Sequence, residues 1–293
     1  MNFKSIALAT TALVVIAAAP AQAGQYMGKV NLGLGYASEN YDTNSPPDEE
    51  LEYTTLHGSA SVNVPYSDRV NVQIDLFGNA SMDEAYDPGP GLSGSFYGGF
   101  GAGLHLNYRD PSMGALGVFA AVARANGGGD SSSDAVVFAG GLEGEYYCNA
   151  WTLSAQVGFM DSDSSFWGLV KDAGFVRAGV AYYPSSRLKL AGNVGYLDGA
   201  TSHTDNASDV REVNWAFSVE YLFGKSVPVS TYIEYKGQSL EEFDPNTYEL
   251  DRHEVRAGVR FYFGGGDDLQ KADREGAGME SPDLITWPRH QYP

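Results

Sequence analysis

Leu56-His57-Gly58-Ser59 sets a histidine and a serine two residues apart. On an extended strand, residues i and i+2 share one face. Folded about a turn at Tyr66–Asp68, Ser59 falls opposite Asp75 and His57 lies diagonal to it, within reach of long side chains. Serine, histidine and aspartate so arranged can activate a nucleophile, the ring taking the hydroxyl proton and the carboxylate orienting the ring. The plainer reading is two polar residues facing an interior. A second pattern, Asp161-Ser162-Asp163-Ser164-Ser165 with Asp172 at the twelfth place, imitates a calcium loop. Such loops need glycine at the sixth place for a sharp turn. Phe166 stands there, so no metal site is expected. Cys148 is the single cysteine. It permits no disulfide within the chain and argues against a cysteine-based metal site. No residue indicates a redox or organic cofactor, and none is expected. The third pattern is the most extensive. Charged residues, among them Arg177, Glu212, Glu234, Lys236, Arg256 and Arg260, recur at alternate positions in otherwise apolar segments.

Those charges need elements that hold them on one face. From Gly28 onward the chain repeats ten to fourteen residues of alternating apolarity followed by a break. Alternation of this kind makes strands with two unlike faces. Val213, Trp215, Phe217, Val219 and Tyr221 share one face, while Glu212, Asn214, Ala216, Ser218 and Glu220 share the other. In the last segment Val255, Ala257, Val259, Phe261 and Phe263 oppose Glu254, Arg256, Gly258, Arg260 and Tyr262. Strands are expected near 28–37, 52–65, 69–80, 95–108, 114–125, 135–147, 151–160, 173–183, 187–198, 210–222, 227–238 and 250–263. The breaks alternate in length. Short ones fall at Tyr66–Asp68, Arg109–Met113, Cys148–Ala150, Pro184–Ser186 and Phe223–Ser226, and long ones near 38–51, 81–94, 126–134, 161–172, 199–209 and 239–249. A soluble β-sandwich also alternates, but it has no reason to alternate short and long connections. It also has no reason to place aromatic residues at both strand ends. Here Tyr66, Tyr108, Tyr146, Trp151, Tyr182 and Tyr221 sit near the short turns, and Tyr36, Phe96, Phe159, Tyr196, Trp215 and Tyr235 toward the long loops. Two aromatic bands suit the two interfaces of a bilayer.

The first residues point to export. Lys4 precedes the apolar run Ile6–Ala19, Pro20 breaks it, and Ala21-Gln22-Ala23 is a small-x-small cleavage site. That is the order of a secretory signal, so the mature chain is expected to start at Gly24. The run is short for a membrane anchor. The net charge is −19, and losing Lys4 makes the mature chain −20. Nucleic-acid binding needs a basic surface and is excluded. Glycine (36) and tyrosine (19) are plentiful, and leucine-rich helical periodicity is missing.

Signal, alternation, loop asymmetry and the aromatic-ended last strand together resemble the bacterial outer-membrane β-barrels, including their porin-like members. The resemblance is one of class and covers about residues 24–263. It implies a closed antiparallel transmembrane β-barrel of about twelve strands in the cell outer membrane, with short periplasmic turns and long extracellular loops. Its implied partners are outer-membrane lipids, lipopolysaccharide and the barrel assembly machinery, for which Phe263 fits the aromatic end of an assembly signal. One departure is that about thirty residues follow Phe263. The His-x-Ser pair is similar to that of outer-membrane phospholipases and lipid A deacylases. Those enzymes work on the lipid-facing surface, whereas the parity of His57 and Ser59 puts them inside.

Lipid-facing positions must be apolar, so the charged set faces the lumen. Many other inward positions are small, including Gly33, Gly99, Gly101, Gly103, Ala121 and Gly258. Small side chains leave room and charges favour water, so a narrow water-filled channel is expected. Direct opposite-charge pairs are not the rule in the hairpin registers read about Phe223–Ser226 and Pro184–Ser186. In those registers Asn214 meets Lys236, Ala216 meets Glu234, and Arg177 meets Asn193. Solvated charges are therefore expected rather than a sealed network. The domain reading is a signal peptide at 1–23, a barrel at 24–263 and a flexible periplasmic tail at 264–293, opened by Gly264-Gly265-Gly266. The apolar Leu284-Ile285-Thr286-Trp287 makes a partial plug or a docking peptide the alternative for that tail. The leading function is passive diffusion of small hydrophilic solutes or ions, with Arg177, Glu212, Glu234, Lys236, Arg256 and Arg260 lining the pore and no catalytic residue. A closed structural barrel acting through acidic surface loops (Asp42, Glu50 and Glu241 among them) and a lipid hydrolase using His57 and Ser59 are the alternatives.

Overall fold

A computed structural model describes residues 26–43, 49–82, 98–126, 134–163, 170–201, 208–223, 228–243, 248–265 and 267–286. The segment read as a signal peptide lies outside them. Twelve strands run in order: β1 (Met27–Thr43), β2 (Glu49–Pro65), β3 (Val70–Ser81), β4 (Gly98–Asp110), β5 (Gly114–Asn126) and β6 (Asp134–Cys148), then β7 (Trp151–Ser162), β8 (Val170–Ser185), β9 (Leu188–Thr201), β10 (Asp209–Leu222), β11 (Val229–Phe243) and β12 (Tyr248–Phe263). Each pairs antiparallel with its sequence neighbours, and β1 closes onto β12. The expected closed antiparallel barrel is the fold that forms. In lipid an open edge would leave backbone groups unpaired, and closure removes the edge.

The alternation sorts side chains as the sequence implies. Leu34, Leu104, Leu116, Leu142, Val157, Phe217 and Ile233 are exposed on the outer face, where hydrocarbon is their proper solvent. Tyr66, Tyr108, Tyr146, Trp151 and Tyr221 stand exposed near the short turns, and Tyr36, Phe159 and Tyr196 toward the other end. Trp151 stacks on Tyr182 with 4.3 Å between ring centroids. Phe96 lies outside the described residues.

Three features differ from expectation. Strands run further toward the long loops, β1 reaching Thr43 and β6 starting at Asp134. The hairpin registers are also displaced by two residues. Ser61, not Ser59, pairs with Asp75. Gly195, not Asn193, pairs with Arg177. Asn214 meets Gln238 and Ala216 meets Lys236. Each turn is centred one residue further along than its composition suggested, and that error doubles across the hairpin. A two-residue slip keeps every side chain on its face but gives each one a new neighbour.

The largest difference is in the C-terminal segment. The expected flexible periplasmic tail is instead folded over residues 267–286 and enters the barrel. Gly264 and Gly265 take positive φ angles of 81° and 147°, which turn the chain back at the end of β12. Helix α1 (Leu269–Glu275) follows, with Asp268 as N-cap accepting from the Lys271 backbone N–H. Leu269 and Ala272 pack with the inward-facing Tyr183, Leu222 and Tyr262 at the short-turn end. The chain then climbs the lumen until Leu284 and Ile285 join a buried apolar cluster with Phe119, Val137, Phe175, Leu197 and Leu250. The polar, mixed-charge composition of Asp267–Glu280 suits water, but a polar lumen satisfies the same groups. Trp287 lies outside the described residues.

Candidate functional site

The lumen carries polar chemistry between the two apolar layers. A cavity of about 320 Å³ lies there, lined by Arg177, Glu212, Glu234, Lys236, Arg256 and Arg260 among others. The structure thus brings all six sequence-selected residues round one space. They lie on β8, β10, β11 and β12, at positions where side-chain parity turns them inward. Residues of β1, β2, β3 and β9 also line it, and Met279, Glu280, Ser281 and Asp283 of the C-terminal segment form the wall opposite the strands.

The charges are paired rather than separately solvated, which corrects the expectation. Arg256 approaches Glu254 at 2.8 Å and Glu234 at 3.7 Å. Arg260 pairs with Glu220, which also accepts from the hydroxyls of Ser230 and Tyr262. The pairs arise where the two hairpins considered in the sequence could not show them. On β11 and β12, Glu234 stands directly across from Arg256 and Lys236 across from Glu254. Same-face neighbours i and i+2 add Arg252 and Arg256 around Glu254. Glu212 is almost completely buried, and its Oε2 finds no hydrogen-bond partner among the described residues. Buried pairs of this kind gain little net stability, because desolvation offsets attraction, but they fix side chains in one arrangement.

The nucleophile group anticipated at His57 and Ser59 does not assemble. Both residues face inward as read. With the register displaced, His57 Nε2 instead lies 2.7 Å from Thr55 Oγ1 and 2.7 Å from Glu254 Oε1. Ser59 Oγ accepts from Asn31 Nδ2 at 2.7 Å. Asp75 turns to a different histidine, His105, whose Nε2 is 3.0 Å from Asp75 Oδ2 and 3.0 Å from Ser281 Oγ. Glu143 faces His105 Nδ1 at 2.9 Å. Ser281, His105 and Glu143 therefore superficially resemble a nucleophile group. With carboxylates on both ring nitrogens, however, the ring donates on both sides and keeps no acceptor for a serine proton. The arrangement ties the C-terminal segment to β3 and β4. No group of described residues could hold a metal ion. In the pattern that imitates a calcium loop, Asp161 accepts from the backbone of Ser162 and Asp172. Phe166 lies outside the described residues.

Sequence reading missed the residues on the inserted segment. Asp273 meets Lys189 at 2.5 Å, and Asp283 meets Lys236 at 2.7 Å. Gln73 donates to the Met279 carbonyl at 2.7 Å, and Arg109 to that of Gly276 at 2.5 Å. The available signal was Leu284-Ile285, too apolar for a segment left in water. The inward apolar set Leu197, Val210, Leu240 and Leu250 was also passed over, although parity alone places it in the lumen.

No protein-family model matches the chain, and no curated protein matches it. Among solved structures, an outer-membrane channel from Pseudomonas putida F1 is similar with a TM-score of 0.53 and 13% identity, over 83% of this chain and 99% of that one. The toluene transporter TodX of Pseudomonas putida gives 0.44 and 11%, over 87% and 94%. The translocator domain of the autotransporter NalP from Neisseria meningitidis gives 0.49 and 10%, over 88% and 95%. At these identities the first likeness shows the fold, that of a bacterial outer-membrane β-barrel. With that fold and an apolar outer face, the chain is placed in the outer membrane.

Proposed function

We propose that this outer-membrane barrel passes small hydrophilic solutes or ions by passive diffusion, through a lumen narrowed by residues 267–286. The observation that carries the reading is the cavity of about 320 Å³ between the barrel wall and the inserted segment. It is lined by charged and polar side chains that suit water and small polar solutes. A twelve-stranded barrel is wide enough that wall side chains alone do not fill it, and here a folded-back segment takes up part of the width. That segment is held by side-chain contacts, two apolar clusters and a backbone hydrogen bond from Leu269 to the Ser186 carbonyl in the β8–β9 turn, so it can leave without breaking the strand ladder. No catalytic step belongs to this reading. Its partners are the lipids and lipopolysaccharide around the apolar belt, the solutes within, and the machinery that assembles barrels.

The test is planar-bilayer conductance of the refolded chain with and without residues 264–293, each verified as folded by its β circular dichroism signal. Discrete steps that are small or rare in the whole chain and larger after truncation are expected. Silence from both folded barrels would sink the channel and favour a closed structural barrel.

A further inference from the structure

The inserted segment is acidic where the wall is basic. Asp273 Oδ2 accepts from Lys189 Nζ at 2.5 Å and from the Tyr183 hydroxyl at 2.7 Å, while its Oδ1 lies 3.9 Å from Lys29 Nζ. Asp283 Oδ2 accepts from Lys236 Nζ at 2.7 Å. Glu280 stands 4.0 Å from Arg177, with a side chain 61% exposed to the cavity. That longer, wetter contact carries less weight than the two aspartates. Apart from Glu212, whose Oε2 finds no partner among the described residues, the wall carboxylates near these cations are already engaged. Glu220 takes Arg260, Glu254 takes Arg252, Arg256 and His57, and Glu234 takes Arg256. On the far wall Asp75 and Glu143 close on His105. If the segment withdraws, Lys29, Lys189 and Lys236 therefore lose the carboxylates they contact. Arg109 also loses the Gly276 carbonyl.

These cations sit at two levels. Lys29 and Lys189 lie within three residues of the short-turn ends of β1 and β9, and Lys236 lies mid-strand on β11. The lower level is a receptor of two ammonium groups and one hydroxyl around a single carboxylate. The upper one is an ammonium group beside the Arg256 guanidinium.

We infer that the passage selects small organic carboxylates, and that Asp273 and Asp283 occupy the two stations along β1, β9 and β11 that such solutes use. The inference rests on the channel reading above and adds its solute class. The C-terminal segment then acts as a tethered competitor. A solute carboxylate that takes a station weakens the hold on the segment by the same contacts.

Two measurements decide this. The first is reversal potential in a KCl gradient for the full-length D273N/D283N variant, whose segment lacks the two stand-in carboxylates. Currents with an anion-to-cation permeability ratio of at least about threefold are expected, and adding K189Q and K236Q should abolish that preference. Currents without anion preference overturn the carboxylate inference and leave the channel reading standing. Silence from folded barrels overturns the channel reading itself. The second uses the unaltered full chain and needs no variant to fold. Protease cleavage within residues 264–293 is followed in succinate and in butane-1,4-diol at matched ionic strength. Faster cleavage in succinate is the expected result, and equal rates in both overturn the inference.

Discussion

Gly103 shows how a single inward residue acquired a purpose that its type did not reveal. Its small size was read as room for water. In the fold, a Cβ built there would run into Ser281 Oγ, while its nearest barrel-wall neighbour, Asp75 Cβ, stands 3.5 Å away. Gly99 differs, because a Cβ there would press on the Arg124 backbone carbonyl as well as on Ile285. A substitution at Gly103 should therefore disturb the inserted segment and spare the sheet. Gly103→Val is expected to weaken the segment's seating by about 1–3 kcal/mol, the usual cost of overpacking. The check is faster protease cleavage within residues 264–293 with an unchanged β circular dichroism spectrum. His57 and Ser59 teach the converse. Their face was legible from parity, but their partners were not, because a two-residue slip gave Asp75 to Ser61 and left Ser59 with Asn31.

The strands were readable because a period of two is unmistakable when one face must meet lipid and the other a polar lumen. Their ends were less readable, since the alternation continues past the apolar belt and β1 runs on to Thr43. Helix α1 was not readable at all. Seven residues with one leucine give no periodicity to detect, and an isolated helix of that length is unstable in water. It exists because Leu269 and Ala272 find Tyr183, Leu222 and Tyr262 in the barrel mouth, and because Arg274 reaches the Asn149 and Trp151 carbonyls. Leu269 is 1% exposed. Leu269→Ala should cost the helix about 2–5 kcal/mol. Hydrogen exchange over residues 267–276 should accelerate while the strands keep their protection. Strand amides that loosen to the same extent would mean that helix and barrel form one cooperative unit.

For the whole molecule, barrel and inserted segment are joined by charge as well as by packing, so their union should depend on pH. Asp273 and Asp283 lie on the C-terminal segment rather than on a strand. Burial pushes both carboxyls up, but the facing cations outweigh it. Lys189 and Lys29 hold Asp273 below the ordinary aspartate value of 3.8, and Lys236 and Arg256 hold Asp283 well below it. A carboxyl whose pKa is lowered on folding contributes stability that is present in full above its unfolded value and is lost as the pH falls through its folded one. The segment should thus stay seated at neutral pH and loosen progressively below about pH 4. Bilayer conductance of the full chain, recorded as the pH falls from neutral toward this range, should rise in the acid, and D273N/D283N should show the higher conductance already at neutral pH. A flat profile would mean that the apolar clusters alone hold the segment.

The chain by itself determined the barrel, because alternation under the opposing demands of lipid and lumen leaves no other arrangement for twelve such segments. It likewise determined which charges face inward, because parity survives any even error in register. What lay beyond it was which charged groups meet inside the lumen. Arg256 finds Glu234 on the neighbouring strand, Lys236 finds Asp283, and Lys189 finds Asp273. Those meetings depend on the closed circumference, on the centre of each turn to within one residue, and on the backward bend at Gly264 and Gly265. Tertiary structure alone also decided that a polar segment suited to water should enter the barrel. Its carboxylates and carbonyls find Lys189, Lys236, Gln73 and Arg109 inside, and Leu269, Leu284 and Ile285 find apolar surface that solvent does not offer.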